Sequence, residues 1–174
     1  MKKSKKMTRQ NFLKKSAIAG GLFAFTGYWA RSQNAQDVPQ LDKKLVEEFV
    51  RIAHSDLDQV KSLLAETPTL LNAAHDWQGG DFETGLEAAS HVGNKEVAKY
   101  LIEQGAQANI FTACLFGRMD IVKPILDFFP NTLQAKGPHG FSLLHHAIKG
   151  GEEALEVKEY LESLGAKETR FPLY

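Results

Sequence analysis

Six histidines (His54, His75, His91, His139, His145 and His146) are the side chains best suited to proton or metal chemistry near neutral pH. A metal site needs several of them to converge on one ion at about 2 Å, each steadied from behind. No pair stands at i, i+4, the spacing that would preorganise such a site on one helix. Their scatter predicts solvated and capping roles and no bound metal. Asp76, Asp81 and Glu83 surround Trp77 and Phe82. Paired carboxylates do acid–base work only when held at fixed separation. A segment containing Gly79-Gly80 reads as a flexible holder, and no Gly-Lys-Ser or Gly-Lys-Thr follows to make a phosphate loop. Cys114 lies among apolar residues, which predicts a buried, inert thiol. The expectation is a protein without catalytic residues, metal or cofactor.

The elements that position these residues follow from charge and periodicity. The chain has 174 residues and a formal net charge of zero, but the charge is unevenly spread. The first 31 residues hold eight basic side chains and no acid, so the remaining 143 carry 13 basic against 21 acidic residues. The acidic remainder excludes a nucleic-acid footprint, which requires a basic patch or stripe. A single cysteine excludes an intramolecular disulfide framework.

After the basic opening, residues 16–30 carry no charge and are diluted by Gly20, Gly21 and Gly27. That is short for a membrane span, which needs about 20 apolar residues. It reads as an export signal over residues 1–32, followed by a linker at 33–40. Thr8-Arg9-Gln10-Asn11-Phe12-Leu13-Lys14 resembles the twin-arginine export motif, with Gln10 where the second arginine belongs. The expected location is periplasmic or otherwise exported. The alternative is an uncleaved N-terminal segment that anchors the chain to the membrane.

From Leu41 onward one pattern recurs: a short helix with small residues, a turn, a second helix with an apolar face, and a loop. Its clearest copy runs Thr84-Gly-Leu-Glu-Ala-Ala-Ser-His-Val-Gly93, then Val97, Leu101, Ile102 and Gly105-Ala-Gln-Ala-Asn109. Gly93 and Gly105 stand where a left-handed residue ends a helix. The other copies run through 53–64, 112–126 and 140–166. Leu57, Val60, Leu63, Val97, Leu101, Ile121, Ile125 and Leu126 are the predicted core.

These residues resemble ankyrin repeats, whose signature is Thr-Pro-Leu-His-x-Ala, Gly, Val-x-x-Leu-Leu, Gly-Ala and a closing Asn at a 33-residue period. The resemblance covers 41–168 and implies an all-α solenoid of about four helix-turn-helix repeats, with a C-terminal tail at 169–174. The spacing departs from the family. Ser55, Gly93, Gly117 and Gly151 are separated by 38, 24 and 34 residues. The first gap implies a lengthened finger at 75–83. The second implies a missing hairpin, replaced by a tight loop near Asn109-Ile110. Pro124 should kink its helix or mark its first turn.

By the same resemblance, finger tips and first helices form a concave binding surface. His145 takes the signature position and should bond the neighbouring hairpin backbone. His54, His91 and His146 could share the concave wall. The implied partner contacts are Trp77, Asp81, Phe82, His91, Phe116 and His139. Trp77 reads equally as a contact or as a plug for the shortened junction; for Phe82 the plug is favoured. The function expected is protein–protein interaction in the cell envelope by a monomer, without nucleic acid. The rivals are a metal-dependent or acid–base enzyme and a structural envelope protein without a defined partner.

Overall fold

The computed structural model describes residues 39–174. The export signal expected over 1–32 and most of the linker lie outside the described residues. No helix among those described is long and apolar enough to cross a membrane.

The described chain is mostly helical. Helices α1 (Lys43–Ala53) and α2 (Leu57–Glu66) form the first antiparallel pair. A 3-10 turn at Pro68–Asn72 leads into β1 (Ala74–Asp76) and β2 (Phe82–Thr84), which pair antiparallel. Then follow α3 (Gly85–Val92) with α4 (Lys95–Glu103), and α5 (Ile110–Leu115) with α6 (Met119–Phe128). After two more 3-10 turns come α7 (Leu143–Gly150) and α8 (Leu155–Ser163). α1 packs on α3, α3 on α5 and α5 on α7; in the second row α2 meets α4 and α6 meets α8.

Local chemistry explains where the helices start. Asp42, Asp56, Asn94, Asn109 and Ser142 each accept a hydrogen bond from a backbone N–H of the turn that follows. Thr84 and Glu87 make a reciprocal capping box at α3. These caps satisfy donors that the helix itself leaves unpaired. Gly117 is needed for two reasons. Its φ of +62° is left-handed, and a Cβ there would collide with the backbone carbonyl of Glu153.

The expected shortened junction is present. Only residues 104–109 separate α4 from α5, without a strand, and Asn109 caps α5 directly. Pro124 lies inside α6, which runs unbroken from Met119 to Phe128. The core differs by one register in that helix. Val122 and Leu126 are buried, whereas Ile121 is exposed and Ile125 half-buried. Both isoleucines line a groove of about 640 Å³ beside Ile102, Ile110 and Phe116. The groove runs beside the strandless α4–α5 link.

The interior falls into two apolar clusters. One gathers α1 to α4 around Phe49, Leu70, Leu86 and Leu101 and takes in Leu115 of α5; the other gathers α5 to α8 around Phe111, Val122, Leu143 and Leu161. The tail belongs to the fold. Ser142 N–H donates to the Thr169 carbonyl at 3.1 Å and Phe171 N–H to that of Gly140 at 2.8 Å.

Leu101 is fully buried. Leu101→Ala is expected to destabilise the protein by about 2–5 kcal/mol in urea melts; a loss below about 1 kcal/mol would place this side chain outside the core.

Candidate metal centre

The finger at 74–84 is a held structure, contrary to the flexible segment its glycines suggest. Asp76 Oδ1 accepts from the N–H groups of Gln78 and Gly80, both at 3.0 Å. The Trp77 N–H donates to the Asp81 carbonyl at 3.0 Å. From the far end of the chain, the Tyr174 hydroxyl donates to the Gln78 carbonyl at 2.8 Å. Gly79 and Gly80 supply the positive φ this turn requires.

Strand alternation then decides which side chains go inward. β2 reads Phe82-Glu83-Thr84. Glu83 faces the interior and is fully buried, whereas Phe82 is 60% exposed. The expectation that Phe82 plugs the junction is therefore wrong: its strand position turns it to solvent. Trp77 is half-buried against the first apolar cluster.

Around the Glu83 carboxylate stand three histidines. His91, in the last turn of α3, places Nε2 2.9 Å from Oε1. His54, at the C-cap of α1, places Nε2 3.8 Å from Oε2. His139, in the turn before α7, places Nε2 3.6 Å from Oε2. The Nε2 atoms of His54 and His91 are 3.0 Å apart. One donor atom from each of the four residues can be chosen so that all lie within 4.8 Å of one another.

Each neighbour of this group is itself anchored. His54 Nδ1–H donates to the Val50 carbonyl at 3.0 Å, which leaves Nε2 as a bare acceptor. His139 Nδ1–H donates to Asp81 Oδ2 at 2.7 Å, and the His139 backbone N–H donates to Oδ1 at 2.8 Å. That double contact holds His139 in a left-handed conformation, φ +58°, uncommon for a non-glycine residue. Arg170 Nε–H adds a hydrogen bond to the His139 carbonyl at 2.7 Å. Trp77 Nε1–H donates to Glu83 Oε2 at 2.7 Å. The buried Glu83 Oε1 has His91 Nε2 as its close polar neighbour, at 2.9 Å. Burial pushes the Glu83 carboxyl upward; His91, the Trp77 N–H and His54 together outweigh burial and hold it below the usual carboxylate range.

The arrangement suits a divalent transition ion. Zinc binds nitrogen and oxygen at about 2.0–2.2 Å, so tetrahedral donors stand roughly 3.4 Å apart. Imidazole with carboxylate fits zinc, copper or nickel better than magnesium or calcium, which favour oxygen alone. The bonds from His54 to Val50 and from His139 to Asp81 are the kind that fix a ligand's tautomer and aim its free nitrogen.

The residues expected to meet a partner therefore divide. Asp81, His91 and His139 turn inward to this cluster, and Trp77 bonds its carboxylate. Phe116 lies apart in the groove between α4 and α6, and Phe82 is at the surface. His54 and His91 do share one wall, but His146 does not join them. His146 is buried against Phe111, with ring centroids 5.1 Å apart. His145 bonds the His91 carbonyl, in the last turn of α3, at 2.8 Å rather than a hairpin backbone. His54 and Glu83 are absent from the contacts expected from the sequence, where Glu83 figures only as one of three carboxylates around Trp77 and Phe82; its inward alternation on a short strand is the available signal. Cys114 is buried as expected, and burial pushes its thiol up to about 12.

No protein-family model matches this sequence, and no curated protein resembles it significantly.

His146, buried away from that cluster, yields a separate test. Its Nδ1–H donates to the Ser142 carbonyl at 2.8 Å, leaving a buried Nε2 without a partner. Burial drives its pKa down to about 4. The unfolded value is about 6.5, so between the two the unfolded chain binds more protons. Stability from this residue is complete above about pH 6.5 and is lost as pH falls toward 4, by about 3 kcal/mol in all. Urea melts of metal-free protein at about pH 7 and about pH 4.5 should show most of that loss, and His146→Leu should remove it.

Proposed function

We propose that this protein is an exported, ankyrin-type stack of helix pairs that binds a divalent transition-metal ion, with zinc the best fit, through His54, Glu83, His91 and His139. The observation that carries this reading is the convergence of three imidazole nitrogens on one fully buried carboxylate. The helix pairs, their left-handed glycines and the short α4–α5 link support the ankyrin part of the reading. The N-terminal charge pattern supports export.

The ion's role in this reading is to hold the scaffold together rather than to catalyse. Four protein donors satisfy a tetrahedral ion without a substrate, as in structural zinc sites. His54, Glu83 and His91 belong to the half of the chain built around the first apolar cluster. His139 belongs to the half built around the second. A bound ion ties the two halves across the junction from which a hairpin is missing. The stapled face then presents the finger to a protein partner of the envelope, and exposed Phe82 supports that last step.

The test is titration of the purified protein with zinc after chelator treatment. Saturation at equimolar zinc is expected, with loss of binding in His91→Ala and in His139→Ala. At a free zinc concentration a hundredfold above Kd, stability should rise by about 2.7 kcal/mol over the metal-free protein. Equal melting curves with and without zinc would overturn the reading.

A further inference from the structure

We infer that Trp77 decides how many oxygens Glu83 offers the ion, and through that number which ions the site accepts; the inference rests on the metal reading above. A carboxylate can bind through one oxygen or both. One oxygen completes a tetrahedral set with three imidazoles. Two oxygens raise the coordination number and suit larger, more flexible ions.

Trp77 holds one of the two oxygens in a hydrogen bond that competes with an ion for it. Its Nε1–H, the indole's single donor, points to Glu83 Oε2 at 2.7 Å. Oε1 is left facing His91 Nε2 at 2.9 Å, without the indole. Among the described residues, no other nearby ring nitrogen is placed to substitute. His54 Nε2 and His139 Nε2 stand 3.8 and 3.6 Å from Oε2, and both rings have their N–H committed on the Nδ1 side. Without the indole, Oε2 loses that competing hydrogen bond and turns more readily to the ion.

The donor is preorganised. The indole packs edge-on against His75, with centroids 4.5 Å apart. Its backbone N–H closes the finger onto Asp81, the same residue that orients His139. The Tyr174 hydroxyl pins the next residue, Gln78, whose φ of +121° is strained for a side-chain-bearing residue. Trp77 touches no ion itself. It is a positioning residue that acts through Glu83.

The experiment is cobalt substitution in the full chain, native and Trp77→Phe, read by visible absorption. Native protein should give the intense bands of tetrahedral Co2+. Trp77→Phe should give weaker bands of higher coordination, with zinc affinity reduced by about 10–100-fold, as for other residues that orient a ligand, and manganese affinity not reduced. Intense tetrahedral bands in both proteins would overturn this inference and leave the metal reading standing. Absence of any Co2+ spectrum in native protein would overturn both. Should Trp77→Phe lack native far-ultraviolet circular dichroism, infrared difference spectra of native protein with and without zinc decide. A carboxylate splitting typical of single-oxygen binding supports the inference, and one typical of two-oxygen binding overturns it.

Discussion

Taking a carboxylate wholly out of water costs on the order of several kcal/mol, and that cost falls only if other groups meet its oxygens. Glu83 is such a carboxylate, and much of the molecule is arranged to meet it. The hairpin that buries it also brings the Trp77 N–H to one oxygen. The end of α1 brings His54, and the end of α3 brings His91. The turn before α7 adds His139, kept in an unfavourable backbone conformation by Asp81 from the same hairpin. Removing any one of these leaves the others with a poorer match, because a partly satisfied buried network is costlier than none.

That local demand has a consequence at the scale of the fold. The apolar interior is two clusters, not one, and the junction between them lacks the hairpin that joins the first two helix pairs. Leu115 of α5 carries apolar packing across that junction, and polar links cross it as well. Ser90 and Thr112 share a hydrogen bond at 3.1 Å, Asn109 donates to Glu87 at 2.9 Å, and His145 bonds the His91 carbonyl. The Lys95 ammonium pairs with Glu153 at 2.8 Å, although exposure of Glu153 makes that pair a weak contributor. The Glu83 group joins these links from the finger side. In the proposed reading, an ion bound there adds coordination bonds to these links.

The helices and their order are largely legible from the residues. Caps such as Asp42, Thr84 and Asn109, left-handed glycines such as Gly93 and Gly117, and apolar spacing along α4 are local signals, read within a few residues of where they act. The short α4–α5 link follows from counting. Pattern misleads where neighbours choose the outcome. Spacing puts Ile121 in the core, yet it lies in a groove beside the strandless α4–α5 link. Composition turns Phe82 inward, but one residue's shift along a strand exchanges faces.

The sequence by itself determined the helices, their order, their paired spacing and the anomalous lengths between them, since each depends on contacts a turn or a strand long. It also held every residue of the candidate metal centre, without saying that they meet. His54, Glu83, His91 and His139 share no helix and no simple spacing. Only the tertiary structure decided their convergence. It does so through the packing of α1 against α3, the inward face of β2, and a hydrogen bond from Asp81 to a turn 58 residues away. Those are relations between elements, and no local pattern encodes them.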